Sequence, residues 1–236
     1  MNRPLFHLDS RLSLCASFVR DGGKLADIGT DHAYLPIWLV KNEKIASAIA
    51  ADINLGPLRR AEKNIRKYHV EDRVSTRLSD GLETVFPTEA DDIVIAGMGG
   101  ETIVKILSAA PWVMDAGKHL ILQPMTAAEK LRAYLQKNGF SVEKERAAVD
   151  GDQCYSAMLA RYQPGCRTYG ELFPYIGVLD GATEESRAYL NKKTASLQKK
   201  AAGLKISGKE EEAARLEHVV EKLRRLALHE EKEFGK

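Results

Sequence analysis

Between residues 24 and 160, short apolar runs alternate with stretches whose apolar positions recur at helical spacing. Residues 24–28 (KLADI) are a short apolar run ending at Gly29. Residues 34–40 predict a helix in which Pro36 is tolerated only in the first turn. Residues 45–51 are apolar and end at Asp52, and residues 55–69 are helically spaced and rich in Lys and Arg. Residues 74–78 alternate and lead to Asp80-Gly81. A β-branched run at 93–96 stops at Gly97, residues 101–109 are helical up to a break at Pro111, and the apolar run 119–122 ends at Gln123-Pro124. Residues 126–137 predict a helix with Thr126 as N-cap and Glu129 three residues on, a capping-box pattern, closed by Asn138-Gly139.

Strands alternating with helices predict βαβ units and a parallel sheet. The runs KLADI, IASAIAA, IVIA and HLIL are almost continuously apolar, as strands covered on both faces should be. Residues 140–149 and 154–162 are strand-like and joined by Asp150-Gly151-Asp152, which predicts an antiparallel pair at the end of the sheet. Past Pro164 the pattern changes, with an irregular Gly-, Pro- and aromatic-rich connector over 167–180. Two long helical patterns follow at 184–206 and 209–233, around Ser207-Gly208. Leu190, Leu197 and Leu204 repeat every seven residues on the first, and Leu216, Val219, Val220, Leu223 and Leu226 form a stripe on the second, which predicts an antiparallel helical hairpin. The expected division is a sheet domain over 1–163 and a connector with helical hairpin over 164–236.

Composition limits the class. A chain of 236 residues is about 1.6 domains at roughly 150 residues each. Hydrophobic content of 44% and charged content of 29% exclude wholesale disorder. No apolar run approaches the ~20 residues that span a bilayer, so no membrane partner is expected. Residues 1–14 lack an apolar core and cleavage site, so no secretory signal is expected. Three cysteines, Cys15, Cys154 and Cys166, have no metal-like spacing, so neither a disulfide framework nor a metal site is expected, and a cytoplasmic location fits. Net charge is only +2, yet its distribution is uneven. Residues 186–208 contain no acid but carry Arg187, Lys192, Lys193, Lys199, Lys200 and Lys205. The second arm holds Glu210, Glu211, Glu212, Glu217, Glu221, Glu230, Glu231 and Glu233. Arg59, Arg60, Lys63, Arg66 and Lys67 form a second basic helix face.

Ligands of open α/β sheets bind at the carboxyl ends of strands near the topological switch point. Collected there are Asp27 and Gly29, with Thr30, Asp31 and His32; Asp52 with Asn54; Asp80-Gly81-Leu82; Gly97-Met98-Gly99-Gly100; and Gln123-Pro124. Gly29 admits close backbone approach, Asp52 suits ribose hydroxyls, and Asp80 suits an adenine amino group with Gly81-Leu82 covering the ring. The first loop, DIGTDHAYLP, lacks the glycines of pyrophosphate binding, and its acids favour a cofactor with a positive centre such as S-adenosyl-L-methionine. Each residue also has a structural alternative. Asp52 or Asn54 can cap the next helix, Asp80-Gly81 can be a plain turn, and His32 can be a hydrogen-bonding histidine. Tyr34 can pack under the sheet, Gln123 can satisfy loop backbone, and the lysine arm can be a solvated helix face.

The runs LADIGTDHAYLP, Asp52 with Asn54 and Gly56-Pro57, SDGLE, IVIAGMGG and LILQP, with Arg11-Leu12 and Asp150-Gly151 near Tyr155, resemble the bacterial tRNA (adenine-22-N1)-methyltransferase family over nearly the whole chain. Met125 follows Gln-Pro where family members often carry Asn. The resemblance implies an α/β class I methyltransferase (Rossmann-like) fold, with a mostly parallel seven-stranded sheet ending in an antiparallel hairpin and a C-terminal α-helical hairpin or coiled coil. It implies S-adenosyl-L-methionine as cofactor and methyl transfer to N1 of an adenine in the D-loop region of tRNA; no metal is expected, and a monomer or weak dimer is. Expected cofactor contacts are Asp27, Gly29, Asp52, Ile53, Asn54, Asp80, Gly81, Leu82, Gly97 and Met98. Expected catalytic residues are Asp31 as an anion near the charge formed at N1, His32, Tyr34 as a stacking ring, and Gln123 on a base edge. Expected tRNA contacts are Arg11, Arg59, Arg60, Lys63, Lys192, Lys193, Lys199 and Lys200. Competing readings are a methyltransferase of another nucleic acid or a small molecule, a non-catalytic RNA-binding protein with a residual pocket, and, most distantly, a dehydrogenase.

Overall fold

The computed structural model describes residues 5–165 and 169–233, with residues 227–233 described by backbone alone. Cys166 and Arg167 lie outside the described residues, as do the side chains of Glu230, Glu231 and Glu233. The chain runs α1 (Ser10–Phe18), β1 (Lys24–Ile28), α2 (Tyr34–Lys41), β2 (Ser47–Asp52), α3 (Leu55–Tyr68), β3 (Val74–Leu78), β4 (Asp92–Gly99) and α4 (Gly100–Ala109). It continues through β5 (His119–Thr126), α5 (Ala128–Lys137), β6 (Phe140–Asp150), β7 (Gln153–Tyr162), α6 (Phe173–Ile176), α7 (Glu184–Ile206) and α8 (Glu210–Glu233).

The strands form one sheet in the order β3-β2-β1-β4-β5-β7-β6. The pairs among β1 to β5 are parallel, and β7 pairs antiparallel with both β5 and β6. Side chains alternate across the sheet. Ala26, Ile28, Ile93 and Ile95 bury into one core with Ile103 and Leu107 of α4 and Leu131 and Leu135 of α5. Leu25, Val94 and Ile121 bury into the other with Cys15 of α1, Leu39 of α2 and Ile65 of α3. Each such aliphatic side chain contributes about 1.5–3 kcal/mol, so the two-sided covering holds the central strands in place. The order reverses at β1, which lies between β2 and β4, so the carboxyl ends of these strands diverge and leave a crevice.

Four features depart from the sequence expectation. β4 does not stop at Gly97, and β5 does not stop at Gln123-Pro124. The two continue side by side, with Met98 opposite Pro124 and Gly99 opposite Thr126, through register shifts that accommodate a proline without an N–H. Thr126 is therefore a ladder residue and not a helix cap. Ala127, in a left-handed conformation with no side-chain cap bond, precedes α5, and Glu129 accepts from Lys193 of α7 instead. The connector contains the short helix α6, with Phe173, Ile176 and Leu179 buried. Finally, α1 is a helix the periodicity did not show. Asp9 caps it by accepting from the Leu12 N–H at 2.6 Å, and it lays Cys15, Ala16 and Phe18 on the sheet.

Past the sheet, α7 and α8 close on each other around Ser207 and Gly208, burying Leu190, Leu197, Ala201, Leu216, Val219, Val220 and Leu223. Among the described residues no helix is long and apolar enough to cross a membrane.

Candidate active site

A cavity of about 450 Å³ opens in the crevice at the ends of β1, β2 and β4. That lies within the ~300–1,000 Å³ of ordinary small-molecule sites. Its wall combines Gly29, Asp52, Ile53, Asp80, Gly81 and Met98, with Ile28 and Ile106 beneath. Gly29 has φ +81°, a conformation that L side chains rarely adopt, and this turn brings its backbone to the cavity beside Met98. Asp52 Oδ1 accepts from the Asn54 N–H at 2.7 Å. Asn54 precedes α3 with extended dihedrals but makes no side-chain cap bond, so neither residue caps that helix. Carboxylates at Asp52 and Asp80 beside the apolar faces of Ile53, Met98 and Ile106 match the hydroxyl-bearing sugar and flat ring of a nucleoside.

Not every expected cofactor contact lines this cavity. Leu82 is only 3% exposed and belongs to the core with Ile28 and Ile106, because its chain position faces inward after the Asp80-Gly81 turn. Asn54 and Gly97 lie off the wall. Asp27 is buried on the opposite side of β1 from Ile28, and burial pushes its carboxyl up to about 6; Asp52 adds to the rise, while the Thr30 hydroxyl and Arg11 oppose it.

The four expected catalytic residues separate into two groups. Asp31, His32 and Tyr34 sit together on the β1–α2 loop. Asp31 accepts from Arg60 of α3, with Arg60 Nε at 3.0 Å, and lies 3.1 Å from His32 Nε2. The His32 and Tyr34 rings are stacked, with centroids 5.1 Å apart and planes at 13°. Phe6 packs behind Tyr34 at 4.7 Å and against Tyr68 at 5.2 Å. Tyr34 does not pack under the sheet; it is 40% exposed. Asp31 is thus committed to two partners, and the imidazole is held as a plate between a carboxylate and a phenol ring.

Gln123 belongs to the other group and is fully buried. Its Oε1 accepts from the Gly97 N–H at 3.0 Å and from Arg11 at 3.2 Å, and its Nε2 donates to the Pro124 carbonyl at 3.1 Å. A side chain with both ends satisfied inside the protein has nothing left for a base edge, so the expected contact is replaced by a structural one. Arg11, expected on an RNA surface, is drawn inward between Gln123 and Asp9, its guanidinium lying over Gly97. Helix α1, with its Asp9 cap, is what carries it there; the signal in the sequence was the Asp-Ser-Arg-Leu start.

The basic residues also divide. On α3, Arg59, Arg60, Lys63, Arg66 and Lys67 are exposed on the face opposite buried Leu58, Ala61 and Ile65. On α7, Lys192, Lys199 and Lys200 are exposed, but Lys192 donates to the Asp152 carbonyl at 2.9 Å, and half-buried Lys193 donates to Glu129 at 3.1 Å. Lys205 pairs with Glu217 across the hairpin at 2.6 Å. Cys15 is fully buried, and its thiol is pushed up to about 12 by burial, which excludes it as a nucleophile. Among the described residues no three His, Cys, Asp or Glu side chains gather to hold a metal.

Residues 8–158 match the family described as methyltransferase domain. The chain is 36% identical over 194 residues to the tRNA (adenine(22)-N(1))-methyltransferase of Bacillus subtilis strain 168, covering 81% of this chain and 82% of that one. Streptococcus pneumoniae Sp1610, solved in complex with S-adenosyl-L-methionine, superposes with a TM-score of 0.79 at 31% identity, covering 94% of this chain and 100% of that one. M. capricolum TrmK, solved with the cofactor product S-adenosyl-homocysteine, superposes with a TM-score of 0.79 at 28% identity, covering 94% and 98%.

Proposed function

Because the chain belongs to the tRNA (adenine(22)-N(1))-methyltransferase family, we propose that it transfers a methyl group from S-adenosyl-L-methionine to N1 of an adenine of tRNA, the adenine-22 type in the D-loop region. The observation that carries this reading is the cavity at the switch point, lined by Asp52, Asp80 and apolar side chains, together with the partly exposed His32–Tyr34 stack. When bound, S-adenosyl-L-methionine supplies an electrophilic methyl group on a sulfonium. Gly29 keeps the wall clear, Asp52 accepts from ribose hydroxyls, Asp80 accepts from an exocyclic amine, and Ile53 and Met98 cover the ring. Asp27 and Leu82 are buried behind the same turns.

Adenine N1 has an in-plane lone pair and needs no covalent activation. The chain's task is alignment, which supplies up to ~7–11 kcal/mol in model systems. We assign the His32–Tyr34 stack as the plate on which the extruded base rests. Asp31 and Arg60 fix the edge of that plate, and the Asp31 carboxylate places negative charge near the ring as N1 becomes positive. Gln123 and Arg11 hold the ends of β4 and β5 in register beside it. The tRNA backbone is met by Arg59, Lys63 and Arg66 on one side and by Lys199 and Lys200 on the other. The sheet domain to residue 163 binds cofactor and base, and the hairpin after residue 164 reaches along the RNA. The hairpin buries its apolar stripe within itself and against α6, which supports a monomer or weak dimer, and a tRNA substrate supports a cytoplasmic location.

The test is methyl transfer from labelled cofactor to unmodified tRNA, followed by nucleoside analysis. N1-methyladenosine at one D-loop adenine is the expected product. Label in any other nucleoside, or none with the full set of tRNAs, rejects the assignment.

A further inference from the structure

The two halves of the molecule meet at one fully buried ion pair. Arg132 of α5 and Glu145 of β6 are both 0% exposed in their side chains and lie 2.5 Å apart. Arg132 Nη2 also reaches Ser156 of β7 at 3.3 Å and the Tyr189 hydroxyl of α7 at 3.2 Å. Its Nη1 donates to the Pro174 and Tyr175 carbonyls of α6, at 3.2 and 2.8 Å. Glu145 Oε2 accepts from the Val178 N–H at 3.3 Å, and a side chain at Gly177 would occupy the place of the Glu145 carboxylate. One guanidinium thus ties together the last sheet helix, both strands of the terminal hairpin, the connector and the first arm of the helical hairpin.

Around this pair α7 is fastened twice more within one turn. Lys192 reaches the Asp152 carbonyl and Gln153 of the β6–β7 turn, and Lys193 reaches Glu129 of α5. The connector holds α8 as well, with Lys222 and His218 at Glu171, and the residues of α7 and α8 nearer Ser207 and Gly208 pack on each other. A lever held only at its root has its far end aimed by the root. A small rotation at Tyr189 becomes a displacement of many ångströms at Ser207, since a helix rises about 1.5 Å per residue.

Stability alone does not account for a charge here. A buried ion pair replaced by apolar side chains of similar volume is often neutral or stabilising. Arg132 Nε has no hydrogen-bond partner among the described residues, which adds to the burial cost. What a planar, multiply donating group offers over a methyl-lined contact is direction: its bonds hold five segments at fixed angles.

We propose that Arg132 is a positioning residue of the methyl-transfer reaction: with Glu145 and Tyr189 it sets the angle of the α7–α8 arm so that Lys199 and Lys200 meet tRNA while the target base lies at His32. This rests on the reading of the arm as a tRNA contact. Lys192 and Lys193 then belong to the mount and not to the RNA surface.

The test compares Tyr189→Phe, the double variant Arg132→Met with Glu145→Met, and Lys199→Glu with Lys200→Glu, all in the full chain. Four quantities are measured: tRNA KM, kcat, cofactor affinity, and the distance distribution between labels at Ser207 and Lys67, with Cys154 and Cys166 replaced. Tyr189→Phe should broaden that distribution and raise tRNA KM about tenfold, the loss of one bond to a charged group, with cofactor affinity unchanged. The double variant should fold, broaden the distribution further, and show a larger KM rise that restored stability does not repair. Folded variants with the narrow distribution and tRNA KM of the wild type overturn the proposal. A broadened distribution with unchanged KM also overturns it, since the angle would then not matter to the reaction. If Lys199→Glu with Lys200→Glu leaves tRNA KM unchanged, the arm is not a tRNA contact, and that reading fails separately from the joint.

Discussion

Asp27 shows how one residue can be legible in identity and opaque in state. Its place at the end of the first apolar run marks it as a site acid, but only burial reveals that its carboxyl is held near 6. Arg11, Asp52, the Thr30 hydroxyl and the Cys15 thiol are the groups facing it. A raised carboxyl pKa means that the folded chain holds the proton more tightly than the unfolded chain, so stability falls as pH rises through about 6. The melting temperature should therefore fall between about pH 4 and about pH 6 and level off above it. Asp27→Asn should remove that slope. Thermal melts across this range check it, and an Asn variant that kept the slope would assign the titration to another group. His32 invites a similar separation. As a stacking plate it should be replaceable by another ring: His32→Phe should keep kcat within a few-fold with an unchanged pH profile. His32→Ala should lose roughly ten- to a hundredfold, from the ~1–3 kcal/mol of a base–aromatic stack. A Phe variant as inactive as the Ala variant would return His32 to proton transfer.

Among elements, the strands and helices of the βαβ core followed directly from periodicity, because a strand buried on both faces has few alternatives to an apolar run. The failures were at ends. Thr126 looked like a cap from sequence spacing, but pairing opposite Gly99 held it in a strand, and Glu129 was left to serve as the anchor of Lys193. The lysines of α7 divide for the same reason. About two turns separate the lysines fastened to the sheet domain from Lys199 and Lys200, and sequence shows all of them only as basic. Lys199→Glu with Lys200→Glu should therefore weaken tRNA binding without moving the melting temperature. Lys193→Glu, which sets two carboxylates against each other, should lower the melting temperature as well. Thermal melts paired with filter binding distinguish the two, and equal melting shifts in both variants would contradict the division.

Across the whole molecule, a net charge of +2 is compatible with RNA binding because the positive charge lies on the α3 face and along α7, while acids concentrate on α8. Affinity for tRNA should fall linearly on a log–log plot against salt. The Lys199 and Lys200 double substitution should reduce that slope by about 1–2, while cofactor affinity stays insensitive to salt. A tRNA affinity independent of salt would count against both basic faces. By itself the sequence determined the alternating architecture, the strand-end acids and glycines, and the helical hairpin, since these depend on local periodicity and on residue types with few conformational options. Only the tertiary structure decided that Gln123 and Leu82 face inward, that Arg11 lies over Gly97, and that Arg132 joins the two halves. Those outcomes depend on which distant segments share a buried volume, and burial sets both the partners and the charge state of a polar group.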